Sequence, residues 1–206
     1  MQIVYEDNHY IAVVKPCGIS TEPHFEEEVK AFIKTRDEKP GNVFLKATHR
    51  LDRPASGIVL FAKTEKGLAR MHKLMRERKV KKTYYALVEG IVKPSKGTWH
   101  DKISKGDRKA YLDHDGKEAL LHYDTIKTDR GRTLIQCDLV TGRYHQIRIQ
   151  FASRGHWILG DDLYKKNLST VQIALFHSEM EFIHPIKGTL CIITVDATAP
   201  LENFQA

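Results

Sequence analysis

The stretch His49-Arg50-Leu51-Asp52-Arg53-Pro54-Ala55-Ser56-Gly57 decides how this chain is read. It sets one carboxylate between two arginines, immediately ahead of the apolar run Ile58-Val59-Leu60-Phe61-Ala62. Pro54 and Gly57 exclude a helix here, so the segment reads as a loop feeding a strand. Asp52 is then a carboxylate that is exposed yet held by a buried strand. A surface ion pair with Arg50 or Arg53 is the plain reading of such a string.

Other segments extend the pattern. Ile11-Ala12-Val13-Val14-Lys15-Pro16-Cys17-Gly18 is a strand running into a turn, and Lys82-Thr83-Tyr84-Tyr85-Ala86-Leu87-Val88-Glu89-Gly90 is another strand. Thr141-Gly142-Arg143-Tyr144-His145-Gln146-Ile147-Arg148, Gly160-Asp161-Asp162-Leu163-Tyr164 and His184-Pro185 follow in order. Together with the Asp52 loop, these segments resemble the motifs of the RluA-like family of RNA pseudouridine synthases. The departures are small: Ala55 stands where a threonine is common, and Lys165 where a glycine usually follows the tyrosine.

Outward from the motifs, local pattern supplies the elements. Ile3–Tyr5 and Tyr10–Val14 read as an opening hairpin, and Glu26–Lys34 as a short amphipathic helix. Thr64 starts a second helix reaching about Arg78, with Leu68, Met71, Leu74 and Met75 at helical steps as core packing rather than a ligand set. Thr83–Val88 is a central strand. Residues 94–116 carry little periodicity and are expected as hairpins or loops. Ala119–Ile126 and Thr133–Leu139 flank a turn, and Arg143–Ala152 fits a helix presenting Ile147 and Phe151. Strands around Val171–Phe176, Glu179–Ile183 and Leu190–Val195 close the chain. Strands outnumber helices and short turns join them, so the class is α+β with a largely antiparallel sheet. The resemblance implies the pseudouridine synthase fold, a bent mixed sheet flanked by helices with a central catalytic cleft. It also implies a single catalytic domain over residues 1–206 without the family's frequent S4 domain.

Composition agrees with a soluble globular protein of 206 residues, 41% hydrophobic. No apolar run approaches the roughly 20 residues that span a bilayer, and the N-terminus has no secretory pattern. Cys17, Cys137 and Cys191 are scattered and odd in number, which suits free thiols in a cytoplasm. No zinc-ligand spacing exists among them, and the histidines form no H-E-x-x-H cluster. A net charge of +7 favours a polyanionic partner. Two basic clusters sharpen this, one of Arg70, Lys73, Arg76, Arg78, Lys79, Lys81 and Lys82, the other of Lys102, Lys105, Arg108 and Lys109.

The chemistry implied by the resemblance breaks the bond from ribose C1′ to the uracil nitrogen and rejoins the base through carbon 5. One carboxylate suffices, with no metal or organic cofactor, and Asp52 takes that role. Arg148 is the position the family pairs with the aspartate, a cation that keeps it ionised in a closed pocket. Tyr84 is the pocket ring that stacks on uracil; Tyr85 points to the opposite face of the strand. The uridine must leave its stack, and Arg50 occupies the position that helps fill the vacated space. Arg50, Arg53, Arg143, His145, Lys79, Lys81 and Lys82 are the expected RNA contacts, His49 a support for the loop. The partner is ribosomal or transfer RNA and the enzyme is expected as a monomer. A non-catalytic RNA-binding or ribosome-assembly protein on the same fold is the alternative. A nucleotide hydrolase lacks its P-loop, paired carboxylates and metal site.

Overall fold

The computed structural model describes residues 1–165 and 172–197. The described residues divide into two compact units, one of Met1–Val80 with Glu179–Val195, the other of those within Lys81–Ser178 with Asp196 and Ala197.

In the first unit, β1 (Ile3–Glu6) and β2 (Tyr10–Lys15) form the expected hairpin, and β2 pairs antiparallel with β4 (Ser56–Ala62). The short β3 (Lys46–Ala47) adds to the end of β4. A wide turn at Thr21–Phe25 leads into α1 (Glu26–Arg36). Helix α2 (Glu65–Arg76) starts where its cap predicts: the Thr64 hydroxyl accepts from the Gly67 amide at 3.0 Å. Its Met71 is fully buried in a core with Tyr10, Ala12, Ile58, Leu60 and Ala62, and Leu68, Leu74 and Met75 pack around it. The methionine–leucine stripe is packing, as its spacing requires.

The second unit is an antiparallel run in the order β5 (Val80–Glu89), β9 (Arg132–Leu139), β8 (Lys117–Asp129), β6 (Lys96–Lys105) and β7 (Ala110–Leu112). Strands β8 and β9 turn at Arg130-Gly131, both at positive φ, as a tight hairpin demands. Residues 94–116 are more regular than their composition suggests, because β6 is a ten-residue strand.

Three expectations are corrected. The helix placed at Arg143–Ala152 is α3 (Gln146–Ala152). Residues 143–145 form a turn instead, since His145 is left-handed (φ 53°) and the Gln146 side-chain oxygen accepts the Arg143 amide at 3.0 Å. Nor does α3 show a single buried face, because every residue from Gln146 to Phe151 is buried. The strands expected near Val171–Phe176 and Glu179–Ile183 are one strand, β10 (Leu175–Ile183), since His177 and Ser178 are buried strand residues rather than a break. Val171 lies outside the described residues. Strand β10 pairs with β11 (Leu190–Thr194), and α4 is a single turn at Asp162–Lys165. Largely antiparallel strand pairing with few helices makes the class α+β.

Candidate active site

In the first unit the loop that carries Asp52 is pinned on both sides of the carboxylate. Upstream, the Thr21 hydroxyl donates to the Leu51 carbonyl (3.2 Å) and accepts from the Leu51 amide (3.1 Å). The Ala55 amide donates to the Asp52 carbonyl at 3.0 Å and closes a turn over Pro54. Downstream, the Arg53 carbonyl accepts from the Gly18 amide (2.9 Å) and from the Lys15 ammonium (3.3 Å). His49 supports the loop as expected, its Nε2 accepting from the Leu60 amide at 3.3 Å. Asp52 itself is half-buried between these fixed peptides.

Lys15 is the residue here that its sequence did not announce. It is fully buried, and its ammonium also donates to the carbonyls of Pro16 (2.8 Å) and Ile19 (2.9 Å). It thus ties the turn after β2 to the Asp52 loop. Burial lowers its pKa to about 8, against the attraction of the Cys17 and Asp52 side chains. Gly18 follows at φ +88°, a backbone state that favours glycine, and it lets the turn bring its amide to Arg53.

The arginines flanking Asp52 differ. Arg53 donates through Nε to the Gly18 carbonyl at 2.8 Å, so it reinforces the same turn. Arg50 is 72% exposed, with Glu22 at 4.0 Å as a loose neighbour. Lys79 is exposed and ion-paired to Glu77 at 2.8 Å. The His184-Pro185 motif is structural: His184 Nδ1 accepts the Ile186 and Lys187 amides, while Nε2 lies 2.9 Å from Asp7. Burial lowers the pKa of His184.

In the second unit the T-G-R-x-H-Q-I-R segment builds a polar cluster. Gln146 organises the turn, its amide group donating to the Leu120 carbonyl (3.1 Å) while its oxygen accepts from Thr141 (2.8 Å). Arg148 is buried, and Asp161 grips it through Nε (2.8 Å) and a terminal nitrogen (2.7 Å). Its other terminal nitrogen lies 3.1 Å from His145 Nε2. A guanidinium only donates, so His145 Nε2 must accept and the proton sits on Nδ1. Nδ1 then donates to the Tyr164 hydroxyl (3.1 Å), which donates to the Ala110 carbonyl (3.2 Å) and accepts the Ala110 amide (2.8 Å). The Tyr164 ring also stands 5.3 Å from the guanidinium carbon.

Asp161 is placed by Gly160, whose φ is +76° and where a Cβ would meet the Gln172 carbonyl oxygen at 2.3 Å. Lys165, at the position where a glycine is usual, forms an ion pair with Glu89 at 2.5 Å. His145, counted among the expected RNA contacts, is buried with both ring nitrogens engaged. Arg143 is half-buried and donates through Nε to the Glu118 carbonyl. Lys81 is exposed on β5. Tyr84 is buried on β5 with its ring stacked 4.4 Å from His177, 16° from parallel; Tyr85, on the opposite face, reaches Gln136 at 3.2 Å. Lys15, Thr21, Asp161 and His177 are site residues that sequence reading missed. Lys15 and Asp161 lie inside motifs whose spacing is legible, but their roles depend on partners distant in the chain.

Asp113, His114 and Asp115 are the one group of potential metal ligands found together among the described residues, in an exposed turn. Among the same residues no helix is long and apolar enough to cross a membrane.

The first unit holds a fixed carboxylate loop and the second a caged arginine and a stacked tyrosine; comparison with known proteins gives the chain a class. The RNA pseudouridylate synthase family model matches residues 9–153. A ribosomal large subunit pseudouridine synthase C of Buchnera aphidicola is 31% identical over 98% of this chain and 69% of its own length. The dual-specificity RNA pseudouridine synthase RluA of Vibrio cholerae is 31% identical over 90% of this chain and 78% of its own. Among solved structures, human RNA pseudouridylate synthase domain containing 4 superposes with a TM-score of 0.81 at 18% identity, covering 97% of this chain and 92% of that one, and so shares the fold. The chain belongs to the RNA pseudouridylate synthase family, a family of isomerases that act on RNA.

Proposed function

We propose that this chain isomerises a specific uridine of ribosomal or transfer RNA, the first being the substrate class that the name of the Buchnera relative carries. Asp52 is the group that acts at the ribose, as nucleophile at C1′ or as base toward a sugar proton. Either way, the base is released, turns and rejoins through carbon 5 with water kept out. The observation that carries this reading is the pinning of the Asp52 loop by Thr21, Gly18 and Lys15. A carboxylate between immobilised peptides loses little further freedom on reaching the transition state.

In this reading the uridine is flipped out of its stack, at an unstacking cost that Arg50 offsets by filling the gap. Tyr84 supplies the face on which uracil rests, opposite the face covered by His177. Its hydroxyl receives the proton from carbon 5. Arg148, aligned by Asp161 and His145, is the cation assigned to keep Asp52 ionised. His145 is reassigned from RNA contact to holding Arg148. Arg53, Arg143, Lys79, Lys81 and Lys82 are the proposed backbone contacts.

A monomeric catalytic domain working in the cytoplasm without metal or cofactor completes the proposal; the scattered free thiols suit the reducing compartment. The decisive assay is release of tritium from 5-tritiated uridine in ribosomal and transfer RNA transcripts, with and without EDTA after the RNA has been refolded. Tritium release by the wild type and none by Asp52→Asn supports the reading. Binding without release supports the non-catalytic alternative. Mapping pseudouridines in cells with and without the protein identifies the site.

A further inference from the structure

Among the described residues, lysines that are partly or wholly buried have oxygen partners, with one exception. Lys15 has three carbonyls, and Lys30, Lys39, Lys63 and Lys165 have carboxylates. Lys82 is half-buried on β5 and has no hydrogen bond or ion pair with any described residue. Desolvation is what acts on its ammonium, and it lowers the pKa. A cation withdrawn from water without a counter-group costs free energy in the unliganded protein, and an arriving anion recovers it.

The position of Lys82 indicates which anion. Strand β5 pairs with β9 so that Thr83 faces Asp138 and Tyr84 faces Cys137. Lys82 is therefore opposite the end of β9, where the chain enters the Thr141-Gly142-Arg143 turn. Its Nζ lies 3.3 Å from where a Cβ on Gly142 would stand, so the ammonium rests against the glycine and uses the room left by the missing side chain. Gly142 is exposed, so the ammonium rests against a solvent-facing stretch of backbone. Arg143, the next residue, directs only its Nε to a protein oxygen, the Glu118 carbonyl, among the described residues. Two cations thus flank one bare, solvent-facing glycine.

Side chains on a strand alternate, so Lys82 and Tyr84 share one face of β5, about 7 Å apart along the strand. That separation suits a base lying on the tyrosine and the sugar–phosphate attached to it.

We propose that Lys82, with Arg143 beside it, anchors a backbone phosphate adjoining the modified uridine. This rests on the reading of Tyr84 as the uracil platform. Lys82 acts in binding, while the chemistry is left to Asp52 and Tyr84. Its half-buried place beside Gly142 distinguishes it from Lys79, whose exposed ammonium is already paired with Glu77.

The test uses a synthetic RNA hairpin carrying the mapped uridine, with methylphosphonate replacing the phosphate on its 5′ or its 3′ side. Affinity is read by fluorescence anisotropy, and the rate by single-turnover tritium release. Lys82→Met is expected to weaken binding about tenfold, the loss of one charge-assisted contact. It should also reduce the slope of log affinity against log salt by about 0.7. Lys82→Arg, which keeps the charge, should recover most of the loss. One of the two methylphosphonates should weaken the wild type about as much as Lys82→Met does, with little further effect on Lys82→Met itself. At saturating RNA the rate of Lys82→Met should stay within a factor of about three.

If neither flanking methylphosphonate weakens the wild type, or if each costs Lys82→Met as much as the wild type, the proposal is wrong; the first outcome needs no variant to fold. A Lys82→Met rate that collapses at saturation with affinity intact also overturns it, by moving Lys82 into the chemistry. Wild-type binding that shows the coupling with no tritium release leaves the anchor standing and removes the catalytic reading.

Discussion

Arg148 and Asp161 form a bidentate ion pair sealed from solvent, with N–O distances of 2.8 and 2.7 Å and side chains 4% and 1% exposed. The planar fork of arginine fits the carboxylate edge to edge, a geometry that lysine lacks. The aspartate therefore fixes both where the guanidinium sits and which way its plane faces.

Asp161→Asn is expected to destabilise the fold by about 3–5 kcal/mol, because it removes the carboxylate charge that grips a buried guanidinium through two nitrogens. Urea denaturation of the two proteins at neutral pH measures the difference. A loss below about 1 kcal/mol means that Arg148 finds another partner and that Asp161 does not orient it. Arg148→Lys should also lose most activity, since it keeps the charge but not the fork.

Asp52→Asn should abolish tritium release while RNA affinity and thermal stability stay near wild type. The amide keeps the shape of the side chain and removes the nucleophile or base. Its neighbours are held through backbone groups of Leu51, Arg53 and Ala55, which the substitution does not touch. A variant retaining more than about a hundredth of the rate rules out this role, since an essential group contributes several kcal/mol of barrier lowering.

Lys15 joins stability to the same loop. Replacing it with methionine keeps the length and removes the donor to Pro16, Ile19 and Arg53. Lys15→Met should lower turnover by loosening the Asp52 turn, and it should change the pH dependence of stability. The pKa of Lys15 in the fold is about 8, below its ordinary 10.5. Between these values the unfolded chain holds a proton that the folded protein has released. This group's contribution to folding free energy therefore grows more favourable as pH rises from about 8 towards about 10.5. Denaturation midpoints across that range should rise in the wild type relative to Lys15→Met. Parallel curves would mean that the ammonium titrates as it does in the unfolded chain.

How much of this was legible depends on where each residue's partner lies. Helix α2 was readable because Thr64 caps it and Leu68, Met71, Leu74 and Met75 face one core, all within twelve residues. The β8–β9 hairpin was readable from Arg130-Gly131 between two alternating runs. Strand β6 was obscure because most of its residues are polar and at least partly exposed, so no clean two-residue hydrophobic period survives. The start of α3 was misread because the left-handed His145 and the Gln146 side chain make a turn from residues that also suit a helix. At the site, Asp52 stood out by its flanking arginines. Lys15 did not, because a lysine that satisfies itself on main-chain carbonyls leaves no matching acidic residue to find. Asp161 was hidden in the same way: its arginine is 13 positions earlier, and only the folded chain brings the two together.

Tyr84 allows stacking and proton transfer to be separated. Its ring lies 4.4 Å from His177 and within 16° of parallel, so one face is already occupied and the other is the face proposed for uracil. Tyr84→Phe keeps both stacking surfaces and removes the hydroxyl. RNA affinity and cleavage of the base from the sugar should persist, while tritium release from carbon 5 slows. Tyr84→Leu removes the ring, so it should weaken binding of the flipped base by roughly 1–3 kcal/mol. It should also lower stability by taking away the partner of His177. Anisotropy, tritium release and final pseudouridine content, measured on both variants under single-turnover conditions, distinguish the two functions. If the phenylalanine variant forms pseudouridine at the wild-type rate, the hydroxyl does not accept the proton. Tyr84 is then only a platform, and Asp52 or a water molecule must take the proton from carbon 5.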